Sequence, residues 1–327
     1  MVGMPQLCAL LIFLQYEIMN ILLCPGIYLP HQRAGSEIYL HRVSKYLMGK
    51  GHTIKAITRC PEPYTFEGID IYQAKENWKS CNNGLWDWAD LVFTQLSGTG
   101  YAMNKSKQLT KKVVNFAHNN CGYPQVNIRK NCFTVYNCEN TKRELNYDQE
   151  CFVLPPPVDY RDYSQTINGQ YVTLVNHNEN KGGQILIEIA KRMPDIQFMA
   201  VKGGYYHQVK DEKVRNIKYV PMVEDLRIYL SQTKVMIAPS EYDSYGMAQV
   251  EALCCGIAVI ASDIAGFRDS MGENGIFIER NNIDKWVQAI RNLPKSNPLQ
   301  RAKELDPVNT LAEFNIWLEK INNLALL

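Results

Sequence analysis

No stretch of the 327-residue chain is long and apolar enough to cross a bilayer as a helix. The apolar run LCALLIFLQY falls short of that length, and no Lys or Arg precedes it as a secretory signal would need. Charge of one sign is also lacking. With 35 Lys and Arg against 33 Asp and Glu, the net charge is +2, which gives no basic face for nucleic acid. Ten cysteines are present, yet none forms a C-x-x-C pair or a His/Cys array at zinc spacing. They are expected to be reduced, buried thiols in a cytoplasmic setting, with adjacent Cys254 and Cys255 pointing apart on a helix. The first strand candidate is followed by CPGIYLPHQRAGSE, which has no G-x-G-x-x-G. That discounts a nicotinamide dehydrogenase. There is no repeat of solenoid length and no low-complexity tract.

What is present is a strand–helix alternation that runs twice. NILLC reads as a short buried strand. Leu40, Val43 and Leu47 then mark a helix over 36–48, Gly49 and Gly51 stop it, and TIKAIT follows as a strand. LVFTQ, KVVNFAH and CFTVYN continue the series, as expected for a parallel sheet. LPPPVDYRDY breaks the pattern, because three prolines exclude a helix interior or a central strand. Beyond it YVTLVN, IQFMAV, KVMIAP and GIAVIAS restart the alternation. Residues 1–18 read as a leader or start-site extension, 19–165 and 166–305 as two domains, and 306–327 as a last helix. Thr310 with Glu313 forms a capping-box pattern for that helix, and Phe314, Trp317, Leu318 and Ile321 form its apolar stripe.

One stretch poses a chemical question. PSEYDSYGMAQVEALCCGIAVIAS sets Glu251 in an apolar helix that follows a glycine-bearing loop. A buried carboxylate costs several kcal/mol unless something pairs with it, so Glu251 needs either a cationic side chain or a ligand. The helix after Gly246 points its free amides past the end of a strand, where a phosphate gains hydrogen bonds and the favourable end of the dipole. Glu251 lies near that mouth and suits two adjacent hydroxyls, as a ribose offers.

The same stretch resembles the donor-site signature of family-4 glycosyltransferases, in which two acids separated by seven residues flank a glycine. Asp243 and Glu251 take those positions. AGSEIYLHRVSKYLMGKGHTIKAIT, VVNFAHNN, VYNCENTKREL with LPPPVD, and LVNHNENKGG are similar to further segments of that family, in its order. The resemblance implies an α/β protein of GT-B architecture. Two Rossmann-like parallel-sheet domains would face a central cleft, acceptor side first and donor side second, with the last helix packing across both. It implies transfer of a sugar from a nucleoside-diphosphate sugar to a hydroxyl acceptor with retention of anomeric configuration. Glu251 would then hold the ribose, Asp243 the sugar hydroxyls, and Lys181 the diphosphate. Gly35 would admit the diphosphate to the first-domain backbone, and His118 would contact the sugar near the reacting carbon. Ser244, Tyr245, Gly246 and Met247 would complete the phosphate cradle, with Asn176 beside it and Val220 to Met222 near the base.

Three departures stand out: Asp243 where Glu is usual, Asn176 where Arg is frequent, and Ala34 in place of the first of a glycine pair. They keep two alternatives open, a catalytically weak sugar-nucleotide binder and a sugar-nucleotide epimerase of related fold. No metal or further cofactor is expected, since Asp87 and Asp90 beside Trp88 read as a solvated helix face. No nucleic-acid partner is expected, and peripheral contact with a membrane surface stays open. The acceptor, whether glycan, lipid or protein, is not legible. Trp78, Trp86, Trp88 and Tyr101 are aromatics of the acceptor side, read mainly as packing.

Overall fold

The computed structural model describes residues 17–74, 83–119, 131–147 and 149–326. The leader up to residue 16, and Trp78, lie outside them. Eight strands build the first sheet: β1 (Asn20–Pro25), β2 (Thr53–Thr58), β3 (Tyr64–Phe66), β4 (Ile69–Gln73), β5 (Leu91–Gln95), β6 (Lys112–Ala117), β7 (Cys132–Tyr136) and β8 (Cys151–Val153). Their order is β3-β4-β2-β1-β5-β6-β7-β8, parallel except for β3 against β4. Six strands build the second: β9 (Tyr171–Val175), β10 (Phe198–Val201), β11 (Ile217–Val220), β12 (Thr233–Ala238), β13 (Val259–Ser262) and β14 (Ile276–Ile278). They run β11-β10-β9-β12-β13-β14. In each sheet the order reverses beside the first strand, at β1/β5 and at β9/β12. A parallel sheet binds its ligand at such a point, outside the carboxyl ends of the strands.

The helices of the first domain are α1 (Gly35–Gly49), α2 (Asn83–Trp88), α3 (Thr99–Leu109) and α4 (Glu139–Leu145). Those of the second are α5 (Gly183–Arg192), α6 (Arg227–Leu230), α7 (Met247–Cys254), α8 (Ala265–Met271), α9 (Ile283–Arg291) and α10 (Pro298–Glu304), after which comes α11 (Pro307–Asn322). Apolar clusters cover both faces of each sheet. That is why the strands read as continuous apolar runs rather than alternating ones.

The last helix begins where expected, but its cap differs from expectation. Thr310 lies inside α11. The cap is Asp306, whose side chain accepts from the Val308 amide, and Pro307 occupies the first turn. Proline suits that position because its missing N–H would have no partner there. The stripe Leu311, Phe314, Trp317, Leu318 and Ile321 packs into the first domain's core, whereas Ala302 of α10 belongs to the second's. The chain therefore crosses between domains at the α10–α11 junction. Of the acceptor-side aromatics, Trp86 is fully buried, Tyr101 packs edge-on against it, and Trp88 carries Lys55 over its ring.

The described cysteines are all unbridged, and all but Cys151 are buried. Among the described residues no helix is long and apolar enough to cross a membrane. No cluster of His, Cys, Asp or Glu among them has a metal-holding arrangement.

Candidate active site

Between the two domains lies a cleft of about 930 Å³. One wall is the face of α1 that carries Gly35, Ile38, Arg42 and Tyr46. The other carries Asn176, Gly203 to Tyr205, Met222 and Val223, with Met247, Ala248 and Glu251 from the first turns of α7. The two walls approach closely. A Cβ on Gly204 would stand 2.6 Å from the Arg33 carbonyl, so only glycine lets these backbones meet.

Two helix N-termini open onto this space. The cap of α1 is Ala34 and that of α7 is Gly246, and neither supplies a side-chain acceptor. Gly246 sits at φ 88°, a left-handed turn that glycine adopts without strain, and it aims the chain from the β12 loop into α7. The first amides of such helices have no partner within the helix and form a ready anion site. At α1 the buried Glu37 carboxylate partly occupies that end, accepting from Ser36 Oγ at 3.0 Å, and burial pushes its pKa up.

Glu251 meets a side chain. Its Oε1 accepts from Arg42 Nη2 at 2.8 Å across the cleft, and only 10% of the carboxylate side chain is exposed. Arg42 also donates through Nη1 to the Pro157 carbonyl at 3.1 Å and through Nη2 to the Tyr163 hydroxyl at 3.0 Å. Burial disfavours the guanidinium charge, but the carboxylate outweighs it and leaves the pKa raised. Of the alternatives posed by the sequence, the cationic partner is thus present, in the same cleft where a ribose would sit.

Lys181, Asp243 and His118 do not border this cleft; Lys181 and Asp243 pair beside it, and His118 sits at the end of β6 in the first domain. Lys181 Nζ lies 2.7 Å from Asp243 Oδ2 and 3.3 Å from the Tyr242 carbonyl. Burial opposes the ammonium charge, Asp243 more than compensates, and the pKa rises. Tyr205 connects that pair to the cleft: it borders the cleft and lies within electrostatic reach of both Lys181 and Asp243. His118 donates from Nε2 to Gln95 Oε1 at 2.8 Å and packs edge-on against Tyr39. Asn137 Nδ2 bridges the His118 carbonyl at 3.1 Å and Ser244 Oγ at 3.0 Å, joining the domains here too.

The remaining expected residues are placed as follows. Asn176 borders the cleft at φ 63°, and its Oδ1 accepts from Gln208. Met222 is exposed at the rim, whereas Val220 closes β11 inside a small core with Met199, Val201 and Tyr229. Tyr245 is buried beneath the loop, with its amide toward Asp243. A Cβ on Gly35 would meet nothing within 4 Å, so the space beside it is open.

Sequence reasoning missed Arg42, Tyr163, Tyr205 and Asn137. Arg42 had a visible signal. Ile38, Arg42 and Tyr46, spaced i, i+4, i+8, form a second stripe on α1 beside the buried Leu40, Val43 and Leu47.

Burial pushes the His118 pKa down to about 3. In the unfolded chain a histidine titrates near pH ~6.5. The unfolded state therefore binds the extra proton between these values, and the stability tied to His118 is lost as pH falls through that window. A His118→Gln variant is expected to lose less melting temperature than wild type between about pH 7 and about pH 4, read by calorimetry.

Two parallel-sheet α/β domains facing a cleft, with the chain crossing back at its end, constitute a GT-B architecture. Solved structures share it. A glycosyltransferase from Rickettsia africae superposes with a TM-score of 0.71 over 95% of this chain and 100% of its own, at 15% identity. Anabaena Alr3699/HepE in complex with UDP-glucose gives a TM-score of 0.77 over 92% and 100%, at 13% identity.

In sequence, residues 170–296 match the family described as glycosyl transferases group 1. O-antigen chain mannosyltransferase B of Escherichia coli is 30% identical over 90 residues, which are 28% of this chain and 22% of that protein. D-inositol 3-phosphate glycosyltransferase of Paenarthrobacter aurescens is 26% identical over 131 residues, 35% and 32% of the respective chains. The chain thus spans about a quarter to a third of these curated relatives.

Proposed function

We propose that this chain is a retaining family-4 glycosyltransferase that moves a sugar from a nucleoside-diphosphate donor to a hydroxyl acceptor. The observation that carries the reading is one cleft shared by the Glu251 carboxylate and by the N-termini of α7, which has no side-chain cap, and of α1, which Glu37 occupies in part. A ribose against Glu251 would place the diphosphate at those amides and Lys181, and the sugar toward Asp243 and His118. The donor side is 166–305 and the acceptor side 19–165. The UDP-glucose complex of a structural neighbour makes UDP-glucose the first donor to test.

The chemistry follows from charge. The bond between the anomeric carbon and the diphosphate oxygen breaks, and its electron pair stays on the diphosphate. The acceptor oxygen bonds to the same face of that carbon, and its proton passes to the leaving diphosphate. Positive charge on the carbon and negative charge on the leaving group both peak in the transition state. Fixed amides and the Lys181 ammonium act most strongly there. A lysine can carry this neutralisation without a metal ion, and the reading requires none.

Incubation with a panel of sugar nucleotides tests the proposal, with transfer or slow hydrolysis as the expected outcome. Asn176 favours a second reading, a silent binder, because it brings no cation to the cleft and its Oδ1 is engaged by Gln208. Tight binding with neither transfer nor hydrolysis across the panel would select it. Gly35 supplies an independent check. Gly35→Leu should not lower the melting temperature, because a Cβ there meets no protein atom within 4 Å and leucine is the better helix former, yet it should weaken donor binding by about tenfold or more through loss of space. Calorimetry on the same sample reads both.

A further inference from the structure

We infer that Arg42 is a positioning residue for donor recognition. It fixes the Glu251 carboxylate for the ribose and makes that orientation depend on how the two domains face each other. The inference rests on the nucleotide-sugar reading above and adds a residue from the opposite domain to the donor site.

The geometry is that of a clamped fork. One guanidinium serves three partners: the Pro157 carbonyl at 3.1 Å, the Tyr163 hydroxyl at 3.0 Å and Glu251 Oε1 at 2.8 Å. A planar group held by both terminal nitrogens has little rotation left, unlike an ammonium on a flexible stem. Its anchors are stiff as well. Pro157 ends the triple-proline stretch, and Tyr163 is buried with its ring in the second domain's core. Glu251 is therefore attached to a fixed point rather than to a mobile surface cation. A free glutamate loses rotamer entropy when a ligand orders it, and a carboxylate already held in place avoids that loss.

Arg42 and its partners also lie in three parts of the fold. Arg42 comes from α1 of the first domain, Pro157 and Tyr163 from the connector between β8 and β9, and Glu251 from α7 of the second. A rotation of the domains about the connector would pull the guanidinium from the carboxylate. Ribose affinity and domain closure would then change together.

The test compares UDP, GDP and ADP, each with its 2′-deoxy counterpart, by titration calorimetry on wild type, Arg42→Met, Arg42→Lys and Tyr163→Phe. Wild type is expected to prefer the ribonucleotide of at least one pair by about tenfold, the contribution of one hydroxyl–carboxylate hydrogen bond. In Arg42→Met that preference should fall to about onefold through weaker ribonucleotide binding, with deoxynucleotide binding unchanged. Arg42→Lys should restore part of it, and Tyr163→Phe should lose about two- to threefold of it. Full preference in Arg42→Met overturns the inference and leaves the ribose role of Glu251 standing. Absence of preference in wild type for every pair, or of any nucleotide binding, overturns that role and the inference with it. Should Arg42→Met fail to fold, Tyr163→Phe decides alone, and an undiminished preference there is equally fatal.

Discussion

Replacing Lys181 with methionine is expected to lower kcat, for transfer or for hydrolysis of the donor by water, by about 10²- to 10³-fold. The magnitude is that of one preorganised donor removed from a developing anion. Lys181 is held by Asp243 at 2.7 Å, and its ammonium stays charged despite burial because that carboxylate outweighs the desolvation. Of its three N–H donors, one meets Asp243 and one points at the Tyr242 carbonyl, which leaves one for a phosphate oxygen. Methionine keeps the length and the apolar stem but offers neither charge nor donor. The ground state already carries diphosphate charge, so donor KM should rise only a few-fold while kcat takes most of the loss. A fall in kcat below about threefold would remove Lys181 from the reacting end of the site.

Glu251→Gln should show the opposite split. The carboxylate acts on the ribose, which does not change between ground and transition states, so its loss is one of uniform binding. Donor affinity is expected to fall by about 10- to 100-fold, the difference between a charged and a neutral acceptor for one or two hydroxyls, with kcat nearly preserved. The fold should survive, because the amide oxygen still accepts from Arg42. A loss of about 1–2 kcal/mol in stability is expected from leaving the largely buried guanidinium without its counter-charge. Unchanged donor affinity would contradict the ribose role. Taken together, the two variants separate the reacting end of the site from the anchoring end.

Much of the fold was legible because its strands are buried on both faces. TIKAIT and LVFTQ are the complete strands β2 and β5, since an apolar run bounded by polar or glycine residues has little else to become. The β3–β4 hairpin escaped notice. β3 is a three-residue edge strand, and the turn depends on Glu67 and Gly68 both adopting positive φ, which only the glycine announces. The cap of α11 was misassigned, not its start: a capping-box pattern at Thr310 competed with Asp306-Pro307, and the proline's fixed φ decided the matter.

The site divides in the same way. Glu251 could be singled out locally, as a carboxylate that an apolar helix cannot bury alone. Its pairing with Arg42 could not, because the two lie 209 residues apart and no spacing rule joins them. Lys181 and Asp243 were each proposed from resemblance. Their direct pairing, and their place beside the cleft rather than on its wall, needed coordinates.

The position of α11 bears on how the polypeptide matures. Phe314, Trp317, Leu318 and Ile321 are made after both sheets, yet they complete the hydrophobic interior of the earlier one. During vectorial synthesis β1 to β8 would leave the ribosome with one side of their sheet covered only in part, by α1, while the second half could already close on itself. The order of maturation would then run against the order of translation, and a chaperone would find its binding surface on the earlier half.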